Sequence, residues 1–274
     1  MITKILVPTD FSETDRQALN YAIALAKKTN SALEVFHVKH PIIVDANMPV
    51  MTYQTFAEEE EKNMQDNFRK LQNGILKDSG LKYSFASTTG FASDDICRRA
   101  SDENFDLVLM GTKGRHEFDD ILIGSTTASV VSKSNVPVFV IPMNCKMEPF
   151  QKIVYATDYN ESEFPQMSKI VYLADLYNAS IDVLHIKSDN DNYFDSEHNF
   201  FSRNKKNIDY PKVTYHTLHK GDLISCINSY CEINKSDLLV LAKHNRNFFD
   251  RLFHRSISKR MVYHTHIPLM VLVK

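Results

Sequence analysis

Short apolar runs with little alternation recur along the chain, at Ile5-Leu-Val7, Leu107-Val-Leu-Met110 and Val138-Phe-Val-Ile141. A strand with one solvated face alternates polar and apolar residues. Continuous runs of this length predict parallel strands covered on both faces. Between the runs the period lengthens. Ala18, Tyr21, Ala22, Leu25 and Ala26 form a stripe at three- and four-residue spacing, which predicts an amphipathic helix over 13–29. Continued through the first half, the pattern predicts strands at 3–9, 32–38, 82–88, 106–110 and 137–141. Helices are expected between them at 13–29, 54–79, 93–103 and 125–134, with a loop rich in Pro, Met and Asn at 40–52. Alternating strands and helices imply right-handed crossovers and a doubly wound parallel sheet of the α/β class. Ligands of such sheets sit beyond the carboxyl ends of the strands, where the strand order reverses. Asp10 and the segment after Met110 both follow strands, so both belong to that edge.

The pattern then repeats. Laid over residues 152–186, residues 4–38 align without a gap, and about ten of the thirty-five positions are identical. Lys4-Ile-Leu-Val-Pro-Thr-Asp10 meets Lys152-Ile-Val-Tyr-Ala-Thr-Asp158, and His37-Val38 meets His185-Ile186. Further on, Asp106-Leu-Val-Leu-Met110 matches Asp237-Leu-Leu-Val-Leu241, and Pro137-Val-Phe-Val-Ile141 matches Pro268-Leu-Met-Val-Leu272. The offset drops from 148 to 131, so the second copy lacks seventeen residues of the first. Two copies of one unit predict two tandem Rossmann-like domains, 1–146 and 147–274.

Candidate chemistry concentrates in one place. Three of the seven glycines, Gly111, Gly114 and Gly124, lie in a single fourteen-residue window directly after the strand at 106–110. The window ends in Gly124-Ser125-Thr126 at the start of a predicted helix. Bare backbone and two hydroxyls at a helix N-terminus favour an anion such as phosphate. A plainer reading also exists: the glycines serve turns and close helix–strand packing, and Asp10 caps the following helix. In the second copy the three glycines become Ala242, Asn245 and Arg255, while Ser256 and Asp158 persist. The spacing survives and the bare backbone does not. Lys243, Arg246, Arg251, Arg255, Lys259 and Arg260 make this second loop basic.

The motif Gly111-x-x-Gly114-(nine residues)-Gly124-Ser125, with Val7-Pro8-Thr9-Asp10-Phe11-Ser12 at the end of the first strand, resembles the universal stress protein family. The resemblance covers essentially the whole chain as two units of the adenine nucleotide α-hydrolase-like fold. It implies an ATP-type ligand (ATP, ADP or AMP) in the first unit, with Mg²⁺ as a companion. Pro8, Thr9 and Asp10 would lie near the adenine and ribose, and Val38 would meet the base. Met110, Gly111 and Gly114 would wrap the ribose and phosphates; Gly124, Ser125 and Thr126 would hold the terminal phosphates. The second unit, with side chains in place of glycines, is expected to bind ATP weakly or not at all. The resemblance further implies that the two units pack as a pseudo-dimer about a pseudo-two-fold axis, with the final strands, 137–141 and 268–272, as the meeting edge. It also implies a regulatory protein read by a partner protein, with pairing of whole chains into a homodimer a further expectation.

Bulk properties narrow the alternatives. Composition is that of a globular protein, 43% hydrophobic and 24% charged, and a net charge of −2 gives no field for nucleic acid or an anionic membrane. No apolar stretch approaches the length needed to span a bilayer. The opening residues run straight into a strand pattern, and the four cysteines form no CxxC pair, which predicts a cytoplasmic protein with reduced thiols. His264-Thr-His266 supplies too few ligands for a zinc site. His37 and His185, recurring at strand ends, read as hydrogen-bonded structural histidines. No nucleophile–base pair stands out, so slow ATP hydrolysis is the most catalysis expected. An ATP-using enzyme of the α-hydrolase group would need a Ser/Gly-rich pyrophosphate loop after the first strand, where this chain has Thr9-Asp10-Phe11-Ser12. A purely structural interaction protein with relic glycines is the third reading.

Overall fold

A computed structural model describes residues 1–41, 50–112, 124–143, 145, 147, 149–157, 164–187, 209–219, 223–243 and 267–273. Among these residues ten strands form one sheet: β1 Lys4–Pro8, β2 Ala32–Lys39, β3 Tyr83–Thr89, β4 Leu107–Gly111, β5 Val138–Ile141, β6 Lys152–Thr157, β7 Ser180–Lys187, β8 Val213–His219, β9 Leu238–Ala242 and β10 Leu269–Leu272. Six helices are present among the described residues. They are α1 Glu13–Thr29, α2 Val50–Asn73, α3 Ala92–Asp102, α4 Ser125–Lys133, α5 Phe164–Tyr177 and α6 Leu223–Ile233.

The strand order is β3-β2-β1-β4-β5-β10-β9-β6-β7-β8. Every pairing is parallel except β5 with β10, which is antiparallel. That one exception joins the two copies along the expected edge. Phe139 stands opposite Met270, with Val140 opposite Leu269 and Val138 opposite Val271. Phe139 and Met270 are equivalent residues at the repeat offset of 131, so a local two-fold axis passes between them.

Burial explains the runs of apolar residues. Ile5 and Val7 face one side of the sheet and Leu6 the other, and all three are fully buried. Alternate side chains of a strand point to opposite faces, so a strand covered twice has no polar positions to spare. One layer packs Ile5 and Val7 with Ala18, Tyr21, Ala22 and Leu25 of α1; the other packs Leu6 with Ile96 of α3 and Val130 of α4. Both layers run through the seam: Phe139 shares a cluster with Tyr155 and Met270, and Val140 with Leu239 and Leu269.

The repeat extends to backbone detail. Asn30 and Asn178, equivalent residues, both take the left-handed conformation that ends a helix, with φ of 56° and 55°. Asp106 accepts from the Thr3 and Lys4 amides, and its counterpart Asp237 accepts from those of Gln151 and Lys152. His37 Nδ1 donates to the Thr9 carbonyl and His185 Nδ1 to that of Thr157, each at 2.8 Å. Both histidines therefore fasten the carboxyl end of the first strand of their unit.

Candidate functional site

The strand order turns back between β1 and β4, with β2 and β3 on one side and β5 on the other. Beyond the carboxyl ends of these strands lies a cleft of about 310 Å³, within the range of small-molecule sites. Its floor begins with Pro8 and Thr9. The Thr9 amide extends the ladder to the Phe36 carbonyl at 2.9 Å, and Phe11 then takes a left-handed φ of 66°, which turns the chain sharply into α1. The turn is stitched together by short side chains. Asp10 Oδ1 accepts from the Ser12 amide at 2.8 Å, Thr9 Oγ1 from the Phe11 amide at 2.9 Å, and Ser12 Oγ from the Asp15 amide at 3.4 Å. The N-cap of α1 is therefore Ser12, and the capping role foreseen for Asp10 is corrected: its side chain braces the turn that positions the cap.

The second wall comes from β4 and α4. Gly111 ends β4 fully enclosed, and a Cβ built on it would stand 2.8 Å from Thr14 Cγ2, 3.0 Å from the Thr14 carbonyl oxygen and 3.2 Å from Asp15 Oδ1. No side chain fits there, because the first turn of α1 packs directly on the strand. Packing alone thus accounts for this glycine. The Gly111 carbonyl accepts from the buried Thr127 hydroxyl at 2.9 Å, tying the strand to the first turn of α4. Gly124 precedes that helix with φ −60° and ψ 153°, and no side chain caps it. The first turn contains no acid, and its backbone N–H groups have no carbonyl within the helix to bond. Ser125 and Thr126 add their hydroxyls at the same end.

Nine predicted residues line this one cleft: Pro8, Thr9, Asp10, Val38, Met110, Gly111, Gly124, Ser125 and Thr126. Gly114 lies outside the described residues, as do Asp158, Asn245, Arg255, His264 and His266. The sequence reading missed Phe36, Ala92 and Ile96, which with Val38 and Met110 make an apolar wall. Phe36 was findable, since it sits two residues before Val38 on the same face of β2. Ala92 and Ile96 stand one helical turn apart on α3, but nothing local says which strand they face. Also missed were Ser12, Asp15, His40, Thr112 and Thr127.

The two carboxyls of the cleft behave differently. Burial would raise Asp10, yet hydrogen bonds from Ser12 and Asp15, with the nearby His37, hold it below the ordinary carboxylate range. Burial and the Asp10 charge push Asp15 the other way, up to about 8. One end of the cleft thus offers an apolar slot beside an ionised carboxylate, and the other offers hydroxyls and backbone donors. Such an arrangement suits a flat, partly polar group joined to an anion. Among the described residues no cluster of three or more metal-ligating side chains occurs, and no helix is long and apolar enough to cross a membrane.

Comparison with known proteins agrees with the fold. The sequence model of the universal stress protein family matches the chain twice, over residues 1–142 and 149–274. Universal stress protein MJ0577 of Methanocaldococcus jannaschii is 35% identical over 160 residues, covering 52% of this chain and 95% of its own length. Universal stress protein YxiE of Bacillus subtilis is 23% identical over 147 residues, covering 52% of this chain and 99% of its own. The crystal structure of a universal stress protein from Archaeoglobus fulgidus superposes with a TM-score of 0.72 at 19% identity, covering 99% of this chain and 96% of that one.

Proposed function

Because the chain belongs to the universal stress protein family, we propose that its first unit binds one adenine nucleotide and that a partner protein reads the bound state. The ligand is ATP, or ADP or AMP, and the protein acts as a cytoplasmic stress-response regulator with no dedicated catalytic apparatus. The observation that carries this reading is the convergence of an apolar slot with an uncapped helix N-terminus in one cleft. The base would lie between Val38 and Ile96, near Pro8, Thr9 and Asp10; the phosphates would lie on Gly124, Ser125 and Thr126. Mg²⁺, where it accompanies the phosphates, would find oxygen ligands in the Ser125 and Thr126 hydroxyls. The units are taken as 1–146 and 147–274, the second retaining the fold without the nucleotide. Ala242 already carries the Cβ that Gly111 has no room for.

Extraction of the purified protein followed by chromatography tests for a retained nucleotide. Calorimetry with ATP, ADP and AMP in the presence of Mg²⁺ is expected to give a stoichiometry near one per chain. Gly124 has a φ that valine adopts without strain, so Gly124→Val adds bulk beside the proposed phosphate position without forcing the backbone. We expect it to weaken ATP binding at least about tenfold, or 1.4 kcal/mol. Wild-type protein without affinity for any of the three nucleotides would defeat the reading. In that case the glycines are packing residues of an interaction protein, as Gly111 already is.

A further inference from the structure

We propose that the first unit carries a second ligand site, for a small organic ammonium ion, on the face of the sheet opposite the nucleotide cleft. The two sites share no lining residue, so this site does not depend on the nucleotide reading. The separation follows from strand geometry. Phe36 and Val38 line the cleft from one face of β2, so His37 between them belongs to the other. There, between α2 and the turn that joins β1 to α1, lies a second cavity of about 310 Å³. That volume is at the low end for small-molecule sites, so the occupant is small.

Phe11 forms one wall. Its φ of 66° is a conformation that bulky side chains rarely take and that costs energy to hold. Its ring stands 4.7 Å from that of His37 and meets Phe68 edge-on at 5.2 Å. Helix α2 supplies the other wall, where Phe56, Glu60, Asn63 and Asn67 recur at helical spacing beside the buried Met64. Phe56 is large, apolar and half-exposed, with no ring partner among the described residues. The charge of this lining has one sign. Glu61 pairs with Lys39 at 2.7 Å, which holds its carboxyl below the ordinary range. Glu59 and Glu60, which line the cavity, form no ion pair among the described residues. His37 adds an acceptor: its Nδ1 donates to the Thr9 carbonyl, which leaves Nε2 of the neutral ring as a lone pair. Carboxylates, an imidazole lone pair and the faces of two phenyl rings all attract a cation. The rings and Met64 also cover a hydrocarbon stem. An anion is repelled by both glutamates, and a bare metal ion, which needs a shell of oxygens, leaves the rings unused. The fitting chemistry is an ammonium head on a short stem, presented by a free amine or by a lysine side chain.

The test is an NMR titration of the full chain without nucleotide, following the Met64 methyl group and the Phe56 ring. Putrescine presents the free amine, Nα-acetyl-lysine amide presents the lysine side chain, and n-butanol is the neutral control. We expect saturable shifts with the ammonium compounds and none with butanol; the tighter binder identifies the source of the head group. Glu59→Gln combined with Glu60→Gln is expected to weaken binding about fivefold, and Phe56→Ala about threefold. These side chains lie at the surface of α2, so the variants keep the fold. Glu232→Gln, on α6, is the control for attraction to the overall negative charge and should bind as the wild type does. Signals that move with neither ammonium compound overturn the proposal, as does an equal response to butanol. A paired glutamine variant that binds like the wild type, or a Glu232→Gln loss as large as that of the pair, overturns it too.

Discussion

Gly111 shows how much one missing methyl group can decide. A Cβ there would press on both the side chain and the backbone of Thr14, and only the side chain can move. Gly111→Ala is therefore expected to cost about 1–3 kcal/mol of stability, the usual range for overpacking, read from the midpoint of denaturant unfolding. Thr14→Ser in the same background removes the 2.8 Å clash with Cγ2 but not the 3.0 Å approach to the carbonyl, so it should restore only part of the loss. The equivalent Ala242 is accommodated in its own unit. At this scale the sequence disclosed which residues were unusual but not why. Both ends of the glycine window line the cleft, whereas the reason for Gly111 is the first turn of α1, more than ninety residues away in the chain. Asp15 escaped notice altogether, since an acid in the first turn of a helix is ordinary there. Its significance comes only from the sharp turn at Phe11 that brings it back to Asp10.

Elements were far more legible than contacts. The stripe from Ala18 to Ala26 predicted α1 over 13–29, and the helix spans Glu13–Thr29. Helix α2 is displaced: it starts at Val50 and ends at Asn73, short of the expected 79. The early end has a physical cause. Gly74 weakens the helix, and Leu76, fully buried, draws the following turn into the core. Helix α4 depends on its neighbour in a way no periodicity reveals. Its first turn is tied to β4 through the buried bond from Thr127 to the Gly111 carbonyl. Thr127→Val keeps the shape and removes the donor, so we expect a loss of about 1–3 kcal/mol by denaturant unfolding, with Thr127→Ser close to neutral. At its other end α4 meets the second unit, where Lys243 Nζ donates to the Ser134 carbonyl at 3.1 Å. The helix that offers its N-terminus to the cleft is thus held at its C-terminus by the residue after β9.

In the whole molecule, the repeat told which strands are equivalent, the family resemblance told which edge they share, and β5 and β10 pair there. What the sequence did not disclose is that both core layers continue across it. Phe139 packs in one cluster with Tyr155 and Met270, so neither unit has a core entirely its own. The expected outcome is a single calorimetric unfolding transition with equal calorimetric and van't Hoff enthalpies. Two resolved transitions would mean that the units unfold independently. The axis between Phe139 and Met270 carries a last consequence. In an assembly of two identical subunits, any change near such an axis is made twice, and both sites gain or lose together. Here one peptide chain supplies both sides, so each half changes alone. A substitution that alters the surface of one half without disturbing its packing leaves that half's support of the other intact, so the joined chain can carry two halves that diverge while each remains the other's permanent, covalent counterpart.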